Sequence, residues 1–473
     1  MRTLSPTIVL VLLFASWNHA NAQYKLYGTT NAGGDSSAGV LFSIYSDGSH
    51  YQRLYSFKGG TDGNGPDGPL AMGTGSKLYG LTATGGASGG GIVFAYDTLT
   101  HVYHKVADLS TSTGFDGVGG LVWFHTKFYG LGVFGGAGGN GTIFTYVPGA
   151  DSVTDVYDLT TANGAYPFGS MTVLNNLLYF TTNSGGANNG GVLNVYDPAT
   201  GTVKALYDFP SGSGPWSSLT IMNKVLYGVA SYGGPNHLGE IYSYDPGDSA
   251  FTDIFDYEIF DDGVYPYGVV PFHGLLYGST ANGGTNQTGG TLNYTNTKGG
   301  NSQFYSFDYN NNPTDGGFPY GVPIITPDSL LLGMTERGGS ADSGIIYRYD
   351  LRTSTFTKLL DFTGPNGSEP IMNALFLPRV PVAVSGSTLE KQDGDSLRLI
   401  NTVVTGMAYL QYTTPGSASA LNLRVVSMSG QILIQQQLPV SAGVNSYSID
   451  ASALPKGMYV LQAAGLSIQF IKL

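Results

Sequence analysis

KLYGLTATGGASGGGIVFAYD (residues 77–97) contains the two features that decide the fold of this chain. A Leu-Tyr-Gly run leads into a Gly-Gly pair, and a glycine-rich turn then leads into an alternating run at residues 91–96. Alternation over four to six residues is typical of half-buried β-strands. So much glycine needs a structural reason, because glycine loses more conformational entropy on folding than any other residue.

This stretch is one of seven copies. The Leu-Tyr-Gly run or a close variant recurs about every 50 residues, with its central residue at Tyr27, Tyr79, Tyr129, Tyr179, Tyr227, Tyr277 and Leu332. A Gly-Gly pair follows each copy. Each unit has four strand-like runs, and the fourth carries an Asp or Ser that suits an outer edge strand. A period of this length without a helical pattern indicates an array of β units, such as a propeller or a solenoid.

The phase of the repeats distinguishes a ring from a linear array. The chain after residue 22 begins at the second strand of a unit, near Tyr24, and an isolated apolar run at residues 371–377 follows the seventh unit. That run can supply the missing first strand by pairing with residues 24–29, whereas a solenoid would need polar caps instead. The sequence therefore predicts an all-β fold, a seven-bladed β-propeller closed by a C-terminal strand over residues 23–378.

The pattern L-Y-G-x-T-x-x-G-G-x-x-x-x-G-x-x-F, over about residues 24–378, resembles the GloVer tandem repeat of bacterial exported proteins. The resemblance implies the repeat type and export, but no particular ligand or reaction. The sixth unit departs from the pattern, because an Asn/Gly-rich segment through Gln303 follows Tyr294. We expect an irregular sixth blade.

The N-terminus carries Arg2, an apolar run at residues 8–14 and an Ala-x-Ala site. These features predict a secretory signal peptide over residues 1–22, cleaved between Ala22 and Gln23. No later segment is apolar enough to predict a transmembrane segment. The net charge of −12 and the lack of basic runs argue against nucleic acid as a partner. With no cysteine, the fold must be stabilised by its core.

Composition changes after Pro378, and residues 379–398 are predicted to be a linker. Residues 399–473 contain short alternating strands that fit a small Ig-like β-sandwich. The runs at 423–431, 443–445 and 454–459 and the terminal Phe470-Ile471-Lys472-Leu473 resemble the C-terminal sorting domain of the type IX secretion system of Bacteroidetes-type bacteria. The resemblance implies the type IX secretion machinery as a partner. The expected route is through the periplasm and across the outer membrane, to release or to the cell surface.

A second signature, x-G-x-x-P-x-G, joins successive units. In antiparallel blades, the fourth-to-first and second-to-third connections emerge on one face, so the residues beside the Pro should ring the mouth of a central channel. The position after Pro places aromatic side chains on four consecutive blades: Phe168, Trp216, Tyr267 and Tyr320. Acidic residues beside the Pro, or beside Gly117 where that residue replaces Pro, occur on three neighbouring blades: Asp67, Asp116 and Glu369.

We predict that these seven residues bind a ligand, a glycan in the first place, or else a surface protein. Aromatic faces offer apolar area for stacking, and the carboxylates would accept hydroxyl hydrogen bonds or hold a Ca²⁺. The alternative for the aromatic side chains is packing between blades. Apart from this Ca²⁺, no cofactor is predicted.

Motifs for nucleophilic, metal-dependent or phosphate-binding catalysis do not occur in the sequence. We therefore predict no catalytic residue and no metal ligand among the histidines. An exported, non-enzymatic binding or scaffold protein is the favoured function. The alternative is a carbohydrate-active lyase or hydrolase that works at the channel mouth.

Overall fold

The computed structural model describes two regions of the chain: residues 24–73, 76–258 and 260–370, and then residues 389–390, 396–399, 403–404, 407–414, 420–427, 432–454, 457–463 and 466–472. Within these residues, regular structure is β-strand apart from four single-turn 3-10 helices, Gly60–Asp62, Thr161–Asn163, Phe260–Asp262 and Pro313–Asp315. None of the described helices could cross a membrane. The predicted signal peptide, its cleavage site at Ala22 and Gln23, and the closing strand at 371–377 lie outside the described residues.

Seven successive antiparallel sheets run from residue 25 to residue 361. Sheet 1 contains β1 (Lys25–Thr30), β2 (Val40–Tyr45) and β3 (Gln52–Ser56). Sheet 2 contains β4 (Ala71–Met72), β5 (Lys77–Leu81), β6 (Ile92–Asp97) and β7 (Tyr103–Asp108). Sheet 3 contains β8 (Val122–Phe124), β9 (Lys127–Gly132), β10 (Thr142–Tyr146) and β11 (Thr154–Asp158). Sheet 4 contains β12 (Thr172–Leu174), β13 (Leu177–Thr182), β14 (Val192–Asp197) and β15 (Thr202–Asp208).

Three further sheets repeat the same order. Sheet 5 contains β16 (Thr220–Met222), β17 (Val225–Ala230), β18 (Glu240–Asp245) and β19 (Ala250–Asp256). Sheet 6 contains β20 (Val264–Phe272), β21 (Leu275–Asn282), β22 (Thr291–Asn296) and β23 (Asn301–Ser306). Sheet 7 contains β24 (Ile324–Ile325), β25 (Leu330–Thr335), β26 (Ile345–Asp350) and β27 (Thr355–Asp361). In sheets 2 to 7 each strand pairs with the next one along the chain.

The sixth unit is irregular, but in its first strand and not in the Asn/Gly-rich segment. β20 has nine residues, and its pairing with β21 has a register shift between Pro266 and Val269. β22 and β23 form a regular antiparallel pair, and the Asn/Gly-rich segment is the turn between them. The Asn296 side chain accepts hydrogen bonds from the backbone N–H groups of Lys298 and Gly300, which closes that turn locally. Tight hairpin turns favour Asn and Gly, so this segment is a hairpin turn and not an insertion.

The third strand of each unit is buried on both faces, although its alternation predicted a half-buried strand. In β6, for example, all residues from Ile92 to Tyr96 are buried. The cause is packing of sheet on sheet: clusters of buried side chains join each sheet to the next. One such cluster unites Leu26 and Phe42 of sheet 1 with Leu332 and Ile346 of sheet 7, so the first and last sheets are also in contact.

Each of the seven sheets has a β-bulge at the same place in the pairing of its last two strands. The register shifts lie at Leu41/Phe42, Val93/Phe94, Ile143/Phe144, Leu193/Asn194, Ile241/Tyr242, Leu292/Asn293 and Ile346/Tyr347. A bulge bends the strand and increases its twist. The outer strand of every sheet is therefore bent in the same way.

Close contacts explain the glycines of the opening stretch. A Cβ on Gly80 would lie 2.4 Å from Cζ of Phe94, because the phenylalanine ring lies across the glycine of the neighbouring strand. Gly91 has φ +98°, and a Cβ there would lie 2.1 Å from the carbonyl oxygen of Thr82. The first position needs the space and the second also needs the backbone freedom of glycine.

The C-terminal region contains two sheets. Sheet 8 has the order β28-β29-β31-β34 and sheet 9 the order β30-β36-β35-β32-β33. The strands are β28 (Leu389–Glu390), β29 (Ser396–Leu399), β30 (Val403–Val404), β31 (Met407–Thr414), β32 (Leu421–Ser427), β33 (Ile432–Leu438), β34 (Gly443–Asp450), β35 (Gly457–Ala463) and β36 (Leu466–Lys472). One buried cluster, with Leu410 from sheet 8 and Leu423 from sheet 9, joins the two sheets. Because β28 and β29 pair within sheet 8, that sheet extends into the predicted linker at 379–398.

Candidate functional site

The linkers between units adopt one unusual backbone conformation. All seven residues at this position of the linker, six before a Pro and Asp116 before Gly117, have positive φ between 51° and 63°: Gly65, Asp116, Tyr166, Gly214, Tyr265, Phe318 and Glu369. Five of these are not glycine, and the left-handed conformation costs such residues roughly 1–2 kcal/mol each. Hydrogen bonds between sheets compensate for this cost. For example, the Phe318 N–H donates to the Gly289 carbonyl at 2.8 Å, and the Phe318 carbonyl accepts from the Glu336 N–H at 3.0 Å.

The position after Pro brings the four predicted aromatic residues together. Phe168, Trp216, Tyr267 and Tyr320 all line one cavity of about 460 Å³. The Phe168 and Trp216 rings are stacked, with centroids 4.9 Å apart. Tyr267 meets Trp216 at 82° and Tyr320 at 83°, with centroids 6.2 and 4.8 Å apart. The arc predicted from the repeat is a continuous series of ring contacts.

The rest of the cavity wall is mainly aliphatic. It is formed by first strands and the segments before them, and includes Leu219, Val269, Val322 and Ile324. Hydroxyl groups come from serines of the linkers, such as Ser170 and Ser218, and from Thr220. Among the described residues that line the cavity there is no carboxylate.

Packing and exposure differ among the four aromatic residues. Tyr267 is only 8% exposed, whereas Phe168, Trp216 and Tyr320 are partly exposed. The Trp216 Nε1 atom is buried and has no hydrogen-bond partner among the described residues. Three of the four rings therefore both pack against neighbours and present surface to the cavity.

None of the three predicted carboxylates lines this cavity. Asp67 is buried, its Oδ1 has no hydrogen-bond partner among the described residues, and its Oδ2 accepts a long 3.5 Å bond from Asn31. Burial, followed by the charge of Asp116, raises the pKa of Asp67 well above its usual value. Burial also raises the pKa of Asp116. Both carboxyl groups consequently hold their protons more tightly than exposed aspartates do.

Glu369 belongs to a small charged cluster that the sequence analysis missed. The Arg337 guanidinium lies 3.3 Å from Glu336 Oε1 and 3.4 Å from Glu369 Oε1. Burial raises the pKa of Glu336, and the Glu336 charge adds to burial in raising the pKa of Tyr320. Comparison of the repeats could have pointed to Glu336, which lies two residues before the Gly-Gly pair of its unit. The same position in the other six units holds an uncharged residue: Asn31, Ala83, Val133, Asn183, Ser231 and Ala281.

A second acidic group lies in sheet 5. Oxygen atoms of Glu240, Asp253 and Asp256 lie within 4.8 Å of one another. Burial, with the charges of Asp253 and Asp256, raises the pKa of Glu240 to about 7. Burial and the Asp253 charge raise the pKa of Asp256 to about 6.

Comparison of the units explains this group. In sheet 2, Asp108 accepts from the backbone N–H of Ala87 at 2.7 Å and pairs with Lys105 Nζ at 2.7 Å. In sheet 5 the residue after the Gly-Gly pair is Pro235, which has no N–H, and Asp253 stands where sheet 2 has Lys105. Asp256 thereby lacks both partners, and its Oδ1 is left without a hydrogen bond among the described residues.

The fold defines a class of all-β proteins built from repeated antiparallel sheets. The family profile of the Gloeobacter/Verrucomicrobia repeat matches residues 19–219 and 210–388, and the chain belongs to this family. The profile of the secretion system C-terminal sorting domain matches residues 404–472. The protein is secreted through the type IX system to the cell surface or the extracellular space.

No curated protein is significantly similar to this chain in sequence. Among solved structures, it is similar to a protein of Bacteroides fragilis assigned as a 6-phosphogluconolactonase, with 14% identity, a TM-score of 0.49, and coverage of 76% of this chain and 99% of that one. A protein of Lactobacillus plantarum matches with 14% identity, a TM-score of 0.49, and coverage of 75% and 99%. An oligogalacturonate lyase of Vibrio parahaemolyticus matches with 12% identity, a TM-score of 0.44, and coverage of 68% and 90%.

Proposed function

We propose that residues 23–378 form a seven-bladed β-propeller, and that it is an exported, non-enzymatic binding domain whose ligand is a glycan. The observation that carries this proposal is the convergence of Phe168, Trp216, Tyr267 and Tyr320, from four consecutive linkers, on one cavity. A concave site with apolar walls and a few polar groups is the usual form of a small-ligand site.

Contacts between the ends of the repeat array support a closed ring. Buried side chains of sheets 1 and 7 form one cluster, and Ala32 forms a β-bridge with Ser368. In the proposed ring, residues 371–377 are the first strand of the sheet that contains β1. An experimental structure with an open array, or with six or eight sheets around the axis, would contradict this architecture.

Ring faces and hydroxyl groups support a glycan as the ligand. The apolar face of a sugar stacks on aromatic rings, while its hydroxyls need hydrogen-bond partners. Ser170 and Ser218 offer such partners inside the cavity. Asp67, Asp116 and Glu369 are not part of the cavity wall, so in this proposal they would serve only a ligand that extends beyond the arc, either by accepting hydroxyl hydrogen bonds or through a Ca²⁺.

One observation favours the alternative of a carbohydrate-active lyase or hydrolase. A buried carboxyl group with a raised pKa, such as that of Asp67, is a common feature of general acids. Against it, no carboxylate is found among the described residues of the cavity wall, so none is in place to act on a sugar stacked on the arc.

A glycan array tests the proposal, run in parallel with an assay for released products. We expect the purified mature chain to retain specific glycans without cleaving them, and Trp216→Ala to abolish retention. Retention unaffected by Trp216→Ala would remove the arc from the site. Release of shortened or unsaturated products, lost in Asp67→Asn, would favour the enzyme.

A further inference from the structure

Sheet 9 of the C-terminal region ends in an edge strand that no described strand covers. The strand order is β30-β36-β35-β32-β33, so β33 pairs with β32 on one side only. The pairing shifts register between Val425 and Val426, which leaves Leu433 as a bulge residue. The regular part of the open edge is therefore residues 434–438, where half of the backbone N–H and C=O groups face away from the sheet.

The bulge also changes which side chains face solvent. Ile432 is 47% exposed, and Leu433, directly after it, is 37% exposed. Two successive exposed residues break the alternation of a regular strand. Gln435 and Gln437 then continue the exposed side. The open edge therefore has two accessible aliphatic side chains at one end and glutamines along the rest.

The other edges of sheets 8 and 9 are less suited to pairing with a partner. β28 and β30 have two residues each, and very short edge strands discourage pairing. β34 is longer, but the segment before it is bound onto the strand. Asn445 Nδ2 donates to the Ser441 carbonyl at 2.7 Å, and the Tyr447 hydroxyl donates to the Pro439 carbonyl.

Charge protects most of the comparable edges in the repeat units. The outer strands of sheets 1 to 5 and of sheet 7 each contain a charged side chain, such as Lys105 in β7 and Lys358 in β27. β23, the exception in sheet 6, is half-buried throughout. Charged residues on an edge strand discourage pairing with another chain. β33 has neither a charge nor a proline, so it lacks this protection.

The function of this region requires a protein contact. The sorting domain directs secretion through the type IX system, so the machinery must bind it. Attraction between charges contributes little to that recognition, because residues 399–473 contain four charged side chains: Arg424, Asp450, Lys456 and Lys472. Addition of a strand to an open edge instead uses main-chain hydrogen bonds for affinity and side-chain pockets for specificity.

We propose that the secretion machinery binds the sorting domain by adding an extended, uncharged strand of its own to the open edge of β33. Main-chain hydrogen bonds form along residues 434–438, and Ile432 and Leu433 contact apolar side chains of the partner. The proposal concerns export and is independent of the ligand of the aromatic cavity.

Proline at two adjacent positions tests the pairing in the full chain. N–H groups of successive residues point to opposite sides of a strand, so Gln435→Pro and Gln436→Pro remove donors on different sides. Limited proteolysis of the C-terminal region identifies the variant that keeps its fold, because a proline facing β32 breaks the sheet. That variant should lose about tenfold in secreted protein and accumulate in the periplasm, as loss of one or two hydrogen bonds predicts.

Alanine at the same two positions keeps the N–H groups and is the control. Gln435→Ala and Gln436→Ala should be secreted normally. Normal secretion of the folded proline variant would overturn the proposal. An equal loss in the alanine variant at that position would also overturn it, since the side chain and not the backbone would then be recognised.

Lysine variants cover the case in which both prolines disrupt the sheet. Gln437 and Asn422 are direct partners in adjacent strands, and both are exposed. Gln437→Lys, at the edge, should reduce secretion, whereas Asn422→Lys, one strand further in, should not. Equal secretion of the two variants would overturn the proposal. So would a dimer of the purified chain that Gln437→Lys dissociates without affecting secretion, because a second copy would then occupy the edge.

Discussion

Phe168 and Trp216 stack with their ring planes 19° apart and their centroids separated by 4.9 Å. They occupy the same position of consecutive linkers, directly after Pro167 and Pro215. The repeat therefore places side chains from successive units against one another. The residue at the position after Pro determines whether an aromatic ring lines the cavity in that unit. Sheets 2 and 3 have Asp67 and Val118 there, so the arc ends at Phe168.

Trp216→Ala should remove ligand binding while lowering the free energy of unfolding by less than the about 3–5 kcal/mol that truncation of a fully buried aromatic ring costs. Its ring is partly exposed, and aromatic contacts contribute about 0.5–1.5 kcal/mol each. Phe209→Ala, at a fully buried ring, is the control and should cost about 3–5 kcal/mol. Chemical denaturation measures both. Equal losses would identify Trp216 as a core residue and not a wall of the site.

Stability should fall as the pH rises from about 4.5 towards 7, in part through Glu240. Its pKa in the folded protein is about 7, above the value near 4.3 of an unfolded chain. The folded state therefore binds the proton more tightly, and its advantage is complete below pH 4.3 and lost as pH rises through 7. Urea denaturation across this range should show a smaller fall for Glu240→Gln. An unchanged pH profile would mean that Glu240 titrates normally.

Asp253→Lys should stabilise sheet 5 by recreating the ion pair that Lys105 and Asp108 form in sheet 2. Asp253 is exposed, so we expect a gain below about 1 kcal/mol, decreasing at high salt. Asp151→Lys makes the same change of charge at an exposed site outside the cluster. A similar gain in both variants would show that only the net charge of the chain matters.

Asp116→Gly should be more stable than Asp116→Ala by about 1 kcal/mol, because glycine adopts the φ of +59° without strain. Both variants remove the partly buried carboxyl group, so their difference in stability reports the backbone alone. Gly65 and Gly214 hold the same conformation in other linkers. Thermal and urea unfolding measure the two stabilities. An alanine variant as stable as the glycine variant would contradict this explanation.

Removal of residues 399–473 should trap the protein in the periplasm, since the sorting domain that directs it through the type IX system matches residues 404–472. Cell fractionation and immunoblotting measure the location. Deletion of an internal repeat unit with the tail intact is the control for misfolding. Normal secretion of the truncated chain would show that the tail is dispensable.

The sequence by itself determined the repeat, its four strand-like runs, the linker signature and the two families. These are local or periodic properties: strand alternation and turn residues act over a few positions, and a recurrent unit must build a recurrent structure. The aromatic arc followed from the same logic, because one position of one repeated linker supplies every member.

Only the tertiary structure decided what lies beside the arc. Glu336, Arg337 and Tyr232 come from the loops after second strands, and they meet the linkers that carry the arc because neighbouring sheets pack together. Burial of Asp67, the complete burial of β10, and the bulge shared by all seven sheets likewise depend on sheet-to-sheet packing. Such contacts join residues that are distant along the chain, so no local sequence pattern specifies them. Packing removes these groups from water and brings them close together, and this sets the energies of their interactions.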